Sequence, residues 1–332
     1  MNFEITTSPD KEKWNNFVDN NKYSDIFQRF EMADIYNNTR NMRGLKFAVT
    51  KEDKIIACMA IKIESRWNFL TSLTSVATIE NAPLYEDSEQ GREAAKFLIE
   101  HYNQHIKRKV LYTNIKVKNN HFLADLYKLN GYEHIIGLNY EINLNKTSNE
   151  IFRSIHKSKR QDIERAIRRG VTVVELEKNP IPELYKILKE SYNNLNLPLP
   201  HISYFNAVSD LMPNNIKVSF VKYQNMFIAG GIVLIYKNRI FDWYVGANTK
   251  YLKVFPNDVI VWNSIKWGCN NGYTIFDHGG AGILGKEYGI REFKRKFGGE
   301  LIEYDIFTKV HRPVLLWFMK KGYKVYNSLL RK

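Results

Sequence analysis

The same order of predicted secondary-structure elements occurs twice in this chain. Each half reads strand, two helices, three strands, helix, strand, helix and strand. The first half ends with the strand His134–Leu144, and the second begins with the strand Val171–Leu176. A long structural period of this kind indicates a duplicated domain, and 332 residues exceed one ordinary hydrophobic core. The sequence therefore predicts two tandem α+β domains.

The chain carries a net charge of +14, from 49 lysine and arginine residues against 35 aspartate and glutamate residues. Such an excess favours an anionic partner: a nucleic acid, a nucleotide or diphosphate, or an acidic membrane surface. A generally lysine-rich composition is the alternative explanation, and it indicates no partner.

Two cysteines, Cys58 and Cys269, each lie in an apolar stretch without a neighbouring cysteine. This spacing argues against a disulfide scaffold or a zinc site and favours a reducing compartment. The first residues lack the apolar core of a signal peptide. No run approaches the roughly 18 apolar residues of a membrane-spanning helix. We expect a cytoplasmic protein, whose basic surface is compatible with peripheral contact at the inner face of the membrane.

The segment Tyr273–Glu300 combines the features of an anion site. A short strand ends at Asp277, a glycine cluster follows, and a basic helix is predicted over Lys286–Phe297. Glycines let the backbone approach a ligand, and the first turn of a helix offers free N–H groups. A dinucleotide site is disfavoured although the pattern G-x-G-x-x-G occurs, because no further β-α-β unit follows it. The cluster consists of Gly279, Gly280, Gly282 and Gly285.

Lys294, within that predicted helix, is the strongest catalytic candidate. Phe293 and Phe297 are spaced i, i+4 and should pack inward, which places Lys294 and Arg295 beside the buried stripe. A fixed cation there can stabilise the negative charge that develops on a carbonyl oxygen when an acyl group moves to an amine. A solvated charged face is the alternative interpretation.

Two titratable residues at the end of the preceding strand, Asp277 and His278, are candidates for the general base of such a reaction. A hydrogen-bonded structural role for His278 is the alternative. The substrate itself is a third possible acceptor of the proton.

The linker Asn145–Arg169 is predicted to be a helix with one apolar and one basic face. Lys157 and Arg160 are spaced i, i+3, and Lys159 lies nearby, an arrangement that suits a diphosphate or an RNA backbone. A solvent-exposed face is the alternative interpretation. The apolar face is formed by Ile151, Ile155, Ile163 and Ile167, which recur at helical spacing.

Several segments together carry a family resemblance. They are Tyr244–Ala247, Trp262–Gly280 and Glu287–Gly299, with the weaker pair Lys157–Arg160 and Arg168–Val171. With these segments, the chain resembles the Fem-type aminoacyltransferases (FemABX) and the related GNAT-like acyltransferases over nearly its whole length.

The resemblance implies two GNAT-like domains, each with a mixed, mostly antiparallel sheet flanked by helices. In this fold the fourth and fifth strands splay apart, and substrates bind there. The implied domains are 1–145 and 146–311, with a C-terminal helix, 312–332, packed back on the first. The implied activity moves an aminoacyl group from charged tRNA to an amine of a peptidoglycan or other cell-envelope precursor.

The resemblance also implies roles for individual residues. Lys294 matches the lysine that assists transfer in the family, and Lys159 or Arg160 matches a basic residue that contacts the diphosphate of the acceptor. Tyr36 lies where the family often has a lysine, which leaves other acceptors open, including amino sugars of surface glycans. Tyr36 is itself a substrate-binding candidate, and the others are Lys157, Tyr244, Phe293 and Arg295.

The identity of the donor depends on two loops. GNAT domains that use CoA carry R/Q-x-x-G-x-G/A between the fourth strand and the third helix, where backbone amides hold the pyrophosphate. The loops Asn81–Arg92 and Gly246–Phe255 do not match this pattern. Together with the net charge, this favours aminoacyl-tRNA over acyl-CoA, with no permanently bound cofactor or metal. Two alternatives stay open: an acyl-CoA-dependent N-acyltransferase acting on a nucleotide-linked amino sugar or glycan precursor, and a non-catalytic RNA- or lipid-binding protein.

Overall fold

The computed structural model describes residues 2–65, 71–176, 178–319 and 321. The chain divides into two compact units. The first combines the residues up to Ile135 with those from Tyr304 onward, and the second is Ile136–Glu303.

The first unit is built around an antiparallel sheet with one parallel junction. Its elements in chain order are β1 (Glu4–Thr6), α1 (Lys11–Asn20), α2 (Phe30–Asn37), β2 (Met42–Lys51), β3 (Lys54–Ser65), α3 (Thr71–Thr74), β4 (Ser75–Ile79), β5 (Leu84–Tyr85), α4 (Glu89–Ile106), β6 (Tyr112–Val117) and α5 (His121–Leu129). Strands β1 to β4 pair antiparallel in sequence order, and β4 and β6 run parallel. Helices α2 and α4 both pack on β2 and β3.

The second unit repeats this plan. The elements that follow along the chain are β7 (Glu133–Asn143), α6 (Ser148–Ser154), α7 (Lys157–Arg168), β8 (Thr172–Val174), α8 (Ile181–Asn194), α9 (Ile202–Leu211), β9 (Ile216–Tyr223), β10 (Met226–Tyr236), β11 (Arg239–Ala247), α10 (Pro256–Asn270), β12 (Ile275–Ile283), α11 (Gly289–Arg295) and β13 (Glu300–Val310). Strands β8 to β11 pair antiparallel in sequence order, and β11 and β12 run parallel. The predicted α+β fold class, with its duplicated element order, is confirmed.

Each unit is completed by a strand from the other half of the sequence. Residues 137–143 of β7 pair antiparallel with β12 in the second unit. Residues 305–310 of β13 pair antiparallel with β6 in the first unit. The sequence-based boundaries assign the strand His134–Leu144 wholly to the first domain. In a duplicated fold the two sheet edges offer similar patterns, so periodicity cannot specify which edge a strand joins.

The predicted linker helix is two helices. Helix α6 ends at Ser154 and α7 begins at Lys157, because Ile155 adopts an extended conformation between them. Ile151, Ile155 and Ile163 are buried as predicted, whereas Ile167 is 56% exposed. The break lets the chain turn while both helices keep an apolar contact with α10.

At the C-terminal end, residues 313–319 are helical. The rest of the predicted helix 312–332 lies outside the described residues, apart from residue 321. No helix in the part of the chain that the structure describes is both long and apolar enough to cross a membrane.

Glycines allow helices to pack closely on both faces of the second sheet. A Cβ on Gly230 would lie 2.9 Å from Leu184 of α8, and one on the adjacent Gly231 would lie 3.2 Å from Ile260 of α10. Because successive residues of a strand point to opposite faces, α8 and α10 cover opposite sides of the sheet. Both helices can therefore contribute to a site at the sheet.

Gly268 tests this packing. A Cβ at this position of α10 would lie 2.3 Å from the Cδ1 atom of Ile240 and 3.0 Å from that of Leu144. We expect Gly268→Ala to lower the free energy of unfolding by about 1–3 kcal/mol through overpacking, despite the better helix propensity of alanine. Urea denaturation measures the change. Gly289→Ala, where no atom lies within 4 Å, is the control and should not destabilise; a Gly268→Ala protein at least as stable as wild type would contradict the packing argument.

Candidate active site

Strands β11 and β12 separate after a short parallel ladder. Their last pair is Phe241 with Asp277, although both strands continue beyond it. The neighbouring ladders carry β-bulges at the same level. The register between β10 and β11 shifts so that Trp243 is the extra residue, and the register between β12 and β7 shifts after Asp277. Since bulges bend strands and re-aim side chains, the sheet opens at Asp242 and His278.

A cavity of about 510 Å³ lies at this opening, entirely within the second unit. Helix α8, strands β11 and β12, the first turn of α10 and helix α11 all contribute to its wall. Its volume suits a small molecule or one group of a larger substrate. The apolar part of the lining includes Leu195, Leu197, Pro198, Trp243 and Val245, and the polar part includes Asp242, Asn257, His278 and Lys294.

Lys294 points its ammonium group from α11 into this region. Its Nζ donates to the backbone oxygens of His278, at 2.6 Å, and Gly280, at 2.8 Å. Burial lowers the pKa of Lys294, and the carboxylates of Asp242 and Asp277 act in the opposite direction. An ammonium group has three N–H donors. These two bonds therefore leave one N–H for another acceptor.

The glycine cluster does not form the predicted turn. Gly279, Gly280 and Gly282 lie within β12, and α11 begins later and is shorter than predicted. Cations of α11 donate to backbone carbonyl groups of β12 around these bulges. Besides Lys294, Arg291 donates to the backbone oxygens of Ala281 and Ile283 at 2.8 and 2.7 Å. Basic residues of this helix therefore donate to backbone oxygens, and the predicted glycine turn leading directly into the helix is wrong; Gly279, Gly280 and Gly289 nevertheless line the cavity.

His278 is buried and has no hydrogen-bond partner among the described residues at either ring nitrogen. The carboxylate of Asp242, 10% exposed, lies 3.7 Å from its Nδ1. Burial lowers the pKa of His278, Asp242 raises it, and Lys294 lowers it further, so that the net shift is downward. The ring is therefore neutral near pH 7 and can accept a proton.

Asp277 is fully buried and already has its donors. One carboxylate oxygen accepts from Asn139 at 2.7 Å and from the N–H of Gly279 at 2.8 Å, and the other from Arg239 at 2.9 Å. A carboxylate held in this way positions the strands and does not suit proton transfer. Asp277 is therefore not a suitable general base, which corrects its prediction as one.

Asn257 lies in the first turn of α10. The residue lines the cavity, and its Oδ1 is buried and has no hydrogen-bond partner in the described part of the chain. Buried acceptors without a partner are rare because each costs about 1–3 kcal/mol. The cavity thus contains polar atoms that a bound molecule could satisfy.

The acetyltransferase (GNAT) domain family matches residues 157–295, a range that holds every residue lining the cavity. Residues 157–295 form a GNAT domain. No curated protein sequence is significantly similar to the chain.

Solved structures extend the similarity of fold to most of the chain. FemX is 14% identical, with a TM-score of 0.68 over 91% of this chain and 96% of FemX. L-PGS from Bacillus licheniformis is 15% identical, with a TM-score of 0.60 over 95% and 96%. A tandem GNAT protein from the clavulanic acid biosynthesis pathway is 8% identical, with a TM-score of 0.60 over 93% and 99%. The predicted resemblance to Fem-type and GNAT-like proteins is confirmed at the level of the fold.

Lys159, predicted to contact a diphosphate, packs with most of its side chain inside the GNAT domain. Its ammonium pairs with Asp258 of α10 and lies 4.1 Å from the ring centroid of Phe293 and 5.6 Å from that of Phe297. Only 12% of its side chain is exposed. Lys159 therefore joins α7, α10 and α11, which corrects its assignment as a free cation. Phe293 also lines the cavity, so its predicted position at the site agrees with the structure.

Arg160 caps the C-terminal end of α6. Its guanidinium donates to the backbone oxygens of Arg153 and Ile155 at 2.6 and 2.7 Å. Lys157 is exposed on the surface of α7. Neither residue lines the cavity.

Three other predicted residues also lie away from the cavity lining. Arg295 is exposed and pairs with Glu292. Tyr244 packs against the rings of Phe205 and Trp243 in an aromatic cluster. Tyr36 belongs to the first unit and is 2% exposed, which corrects its assignment as a substrate contact.

The sequence interpretation missed Asp242 and Asn257. Asp242 is the one carboxylate of the strand Arg239–Ala247, whose other residues after Arg239 are apolar or aromatic. A charge at a central strand position signals either a partner or a site. Asn257 follows Pro256 at the start of a helix, where polar residues are common, so its position in the sequence does not indicate a site. Only the fold brings both residues beside His278 and Lys294.

The electrostatics of the cavity give a titration test. We expect His278 to titrate below about 6.5, the usual histidine value, and Asp242→Asn to lower its pKa further by removing the carboxylate that favours the charged ring. Because the folded-state pKa is depressed, this histidine contributes stability above about pH 6.5 that is lost as the pH falls. NMR of the labelled histidine rings measures both values, with His278→Gln for assignment. A pKa of His278 above that of unfolded histidine would contradict this description.

Proposed function

We propose that the chain is an N-acyltransferase that moves an aminoacyl group from aminoacyl-tRNA to an amine of a peptidoglycan or other cell-envelope precursor. The coarser part of this statement, a GNAT acyltransferase domain, rests on the family match. The donor, the acceptor and the roles of the residues are the proposal.

The observation that carries the mechanism is the position of Lys294. Its ammonium is held by the two carbonyls of β12 at the edge of the cavity, beside Asp242 and His278. As the amine attacks the ester carbonyl, negative charge develops on the carbonyl oxygen. The remaining N–H of Lys294 stabilises that charge without moving, which is the form of electrostatic catalysis that costs no reorganisation.

His278 takes the proton that the attacking amine loses. Its ring is neutral, and the Asp242 carboxylate 3.7 Å away stabilises the imidazolium that forms. The new C–N bond replaces the C–O ester bond, and the proton passes to the ribose oxygen that leaves. In this scheme Asp277 fixes the strand and takes no part in the proton transfer.

The start of α10 argues against the pyrophosphate of CoA at this position. A 3-10 helix, Thr249–Val254, fills the loop before it, and Phe255 follows in a left-handed conformation with φ of 55°. Pro256 removes one backbone donor from the first turn. The Asp258 carboxylate lies in the same turn. That carboxylate is already paired with Lys159, so the turn offers a diphosphate no free cation and few free amides, whereas the ester end of a tRNA needs no such donors.

The fold neighbours support both donors. FemX and L-PGS share the fold, and the Fem-type resemblance implies aminoacyl transfer. The tandem GNAT protein of the clavulanic acid pathway is described as a structure without AcCoA, which makes acyl-CoA the alternative donor. The net charge of +14 suits tRNA better than a small cofactor.

Replacing Lys294 tests the mechanism. We expect Lys294→Met to lower kcat by about 10²–10³-fold, with little change in KM, because the lost interaction exists mainly in the transition state. Arg295→Ala, one residue along the same helix but exposed and paired with Glu292, is the matched control and should keep wild-type activity. A folded Lys294→Met protein with full activity would falsify the assignment; thermal unfolding monitors the fold.

The donor is tested directly. Radiolabelled aminoacyl-tRNA from total tRNA, and separately labelled acetyl-CoA, are incubated with the protein and extracted cell-envelope precursors. We expect label to move from tRNA alone. Transfer from acetyl-CoA alone would establish the alternative enzyme. Salt-dependent RNA binding without transfer from either donor would favour the non-catalytic interpretation.

A further inference from the structure

The cavity of the GNAT domain has more unsatisfied acceptors than the acyl-transfer reaction requires. In the described part of the chain, the Asp242 carboxylate lies 3.7 Å from Nδ1 of His278, and Oδ1 of Asn257 has no hydrogen-bond partner. Asp242 belongs to β11 and Asn257 to α10, and both residues line the same cavity.

The cations near these acceptors have other partners. Lys294 is held by backbone carbonyls of β12, and Lys159 is paired with Asp258. Arg291 is bound to carbonyls of the same strand. No arginine appears in the cavity lining, and its one lysine is Lys294. A carboxylate that is 10% exposed and lacks a close donor is therefore available to a ligand that brings its own positive charge.

The rest of the lining sets the size and character of that ligand. Leu195, Leu197 and Pro198 come from the end of α8 and the loop after it, and Trp243 and Val245 from β11. A mostly apolar cavity with a few convergent acceptors is the usual form of a site that binds a small amphipathic group. A neutral acyl chain has no N–H group to donate to the oxygen acceptors of the cavity, so it would leave them unpaired. The site therefore disfavours such a chain.

We propose that Asp242 and Asn257 bind the free ammonium of the acyl group that is transferred, so that the cavity selects aminoacyl over simple acyl or hydroxyacyl donors. This inference rests on the proposed function and makes it more specific, because it names the residues that recognise the ammonium group of the donor. Asp242 then has two contacts, the ammonium of the donor and the ring of His278. Asn257 contacts the donor alone.

The binding test needs no acceptor and no transfer step. The probes are alanine methyl ester and lactate methyl ester, which differ in an ammonium against a hydroxyl group at a pH below about 7, where the amine is protonated. Binding is followed through the ring signals of His278 by NMR. We expect the alanine ester to bind wild type at least tenfold more tightly than the lactate ester.

The variants assign the preference to its residues. Asp242→Asn should bring the two affinities within about twofold, and Asn257→Leu should reduce the preference while leaving the His278–Asp242 pair in place. Asn271→Ala, at the opposite end of α10 and outside the cavity lining, should keep the wild-type preference. Equal affinities for the two esters in wild type, or a preference that survives both cavity variants, overturn the inference.

A second measurement separates this inference from the proposed function. Charged total tRNA is treated with nitrous acid, which converts the α-amine into a hydroxyl and leaves the ester intact, and both pools are used in the transfer reaction. The inference is supported if wild type transfers faster from the untreated pool and if this difference between the pools disappears in Asn257→Leu. Equal transfer from both pools leaves the proposed function standing and overturns the inference. No transfer from either pool overturns the proposed function and the inference with it.

Discussion

Asp277 sets the geometry on which the cavity depends. Its buried carboxylate accepts from Arg239 of β11, from Asn139 of β7 and from the amide of Gly279 in its own strand. Removing one partner from a buried charge pair costs about 3–5 kcal/mol, so the three strands are firmly joined at this residue. Immediately after it the parallel ladder ends. The opening therefore begins at a fixed point, and His278, the next residue, lies at its edge.

The equivalent position of the first unit has different chemistry. The parallel ladder between β4 and β6 ends one residue before Glu80. That carboxylate pairs with Lys62 and Lys116 at 2.7 Å each. Burial acts to raise the pKa of Glu80, but the two lysines outweigh it and hold the pKa well below its usual range. In the first unit, the ion pairs of Glu80 therefore join neighbouring strands. In the second unit, Lys294 binds backbone carbonyls instead, and Asp242 lines a cavity.

The sequence predicted what depends on local pattern and missed what depends on long-range pairing. Element order follows from periodicity, and Lys294 could be found because Phe293 beside it belongs to an inward-facing pair. The bulges of β12 arise from pairing with β7, so the glycine cluster was misread as a turn. Lys159 looked like a surface cation because its partner, Asp258, lies far along the chain. The cavity acceptors come from separate elements, and no local spacing relates them.

The crossed placement of β7 and β13 also bears on how the chain is made. On a ribosome, β6 emerges long before residues 305–310, which later pair with it. At about 5–20 residues per second the wait is roughly ten to forty seconds. During that time the nascent sheet exposes a free edge, the kind of surface on which strands of other chains can add. Separately expressed halves would keep such edges permanently, because each unit takes its last strand from the other half of the sequence.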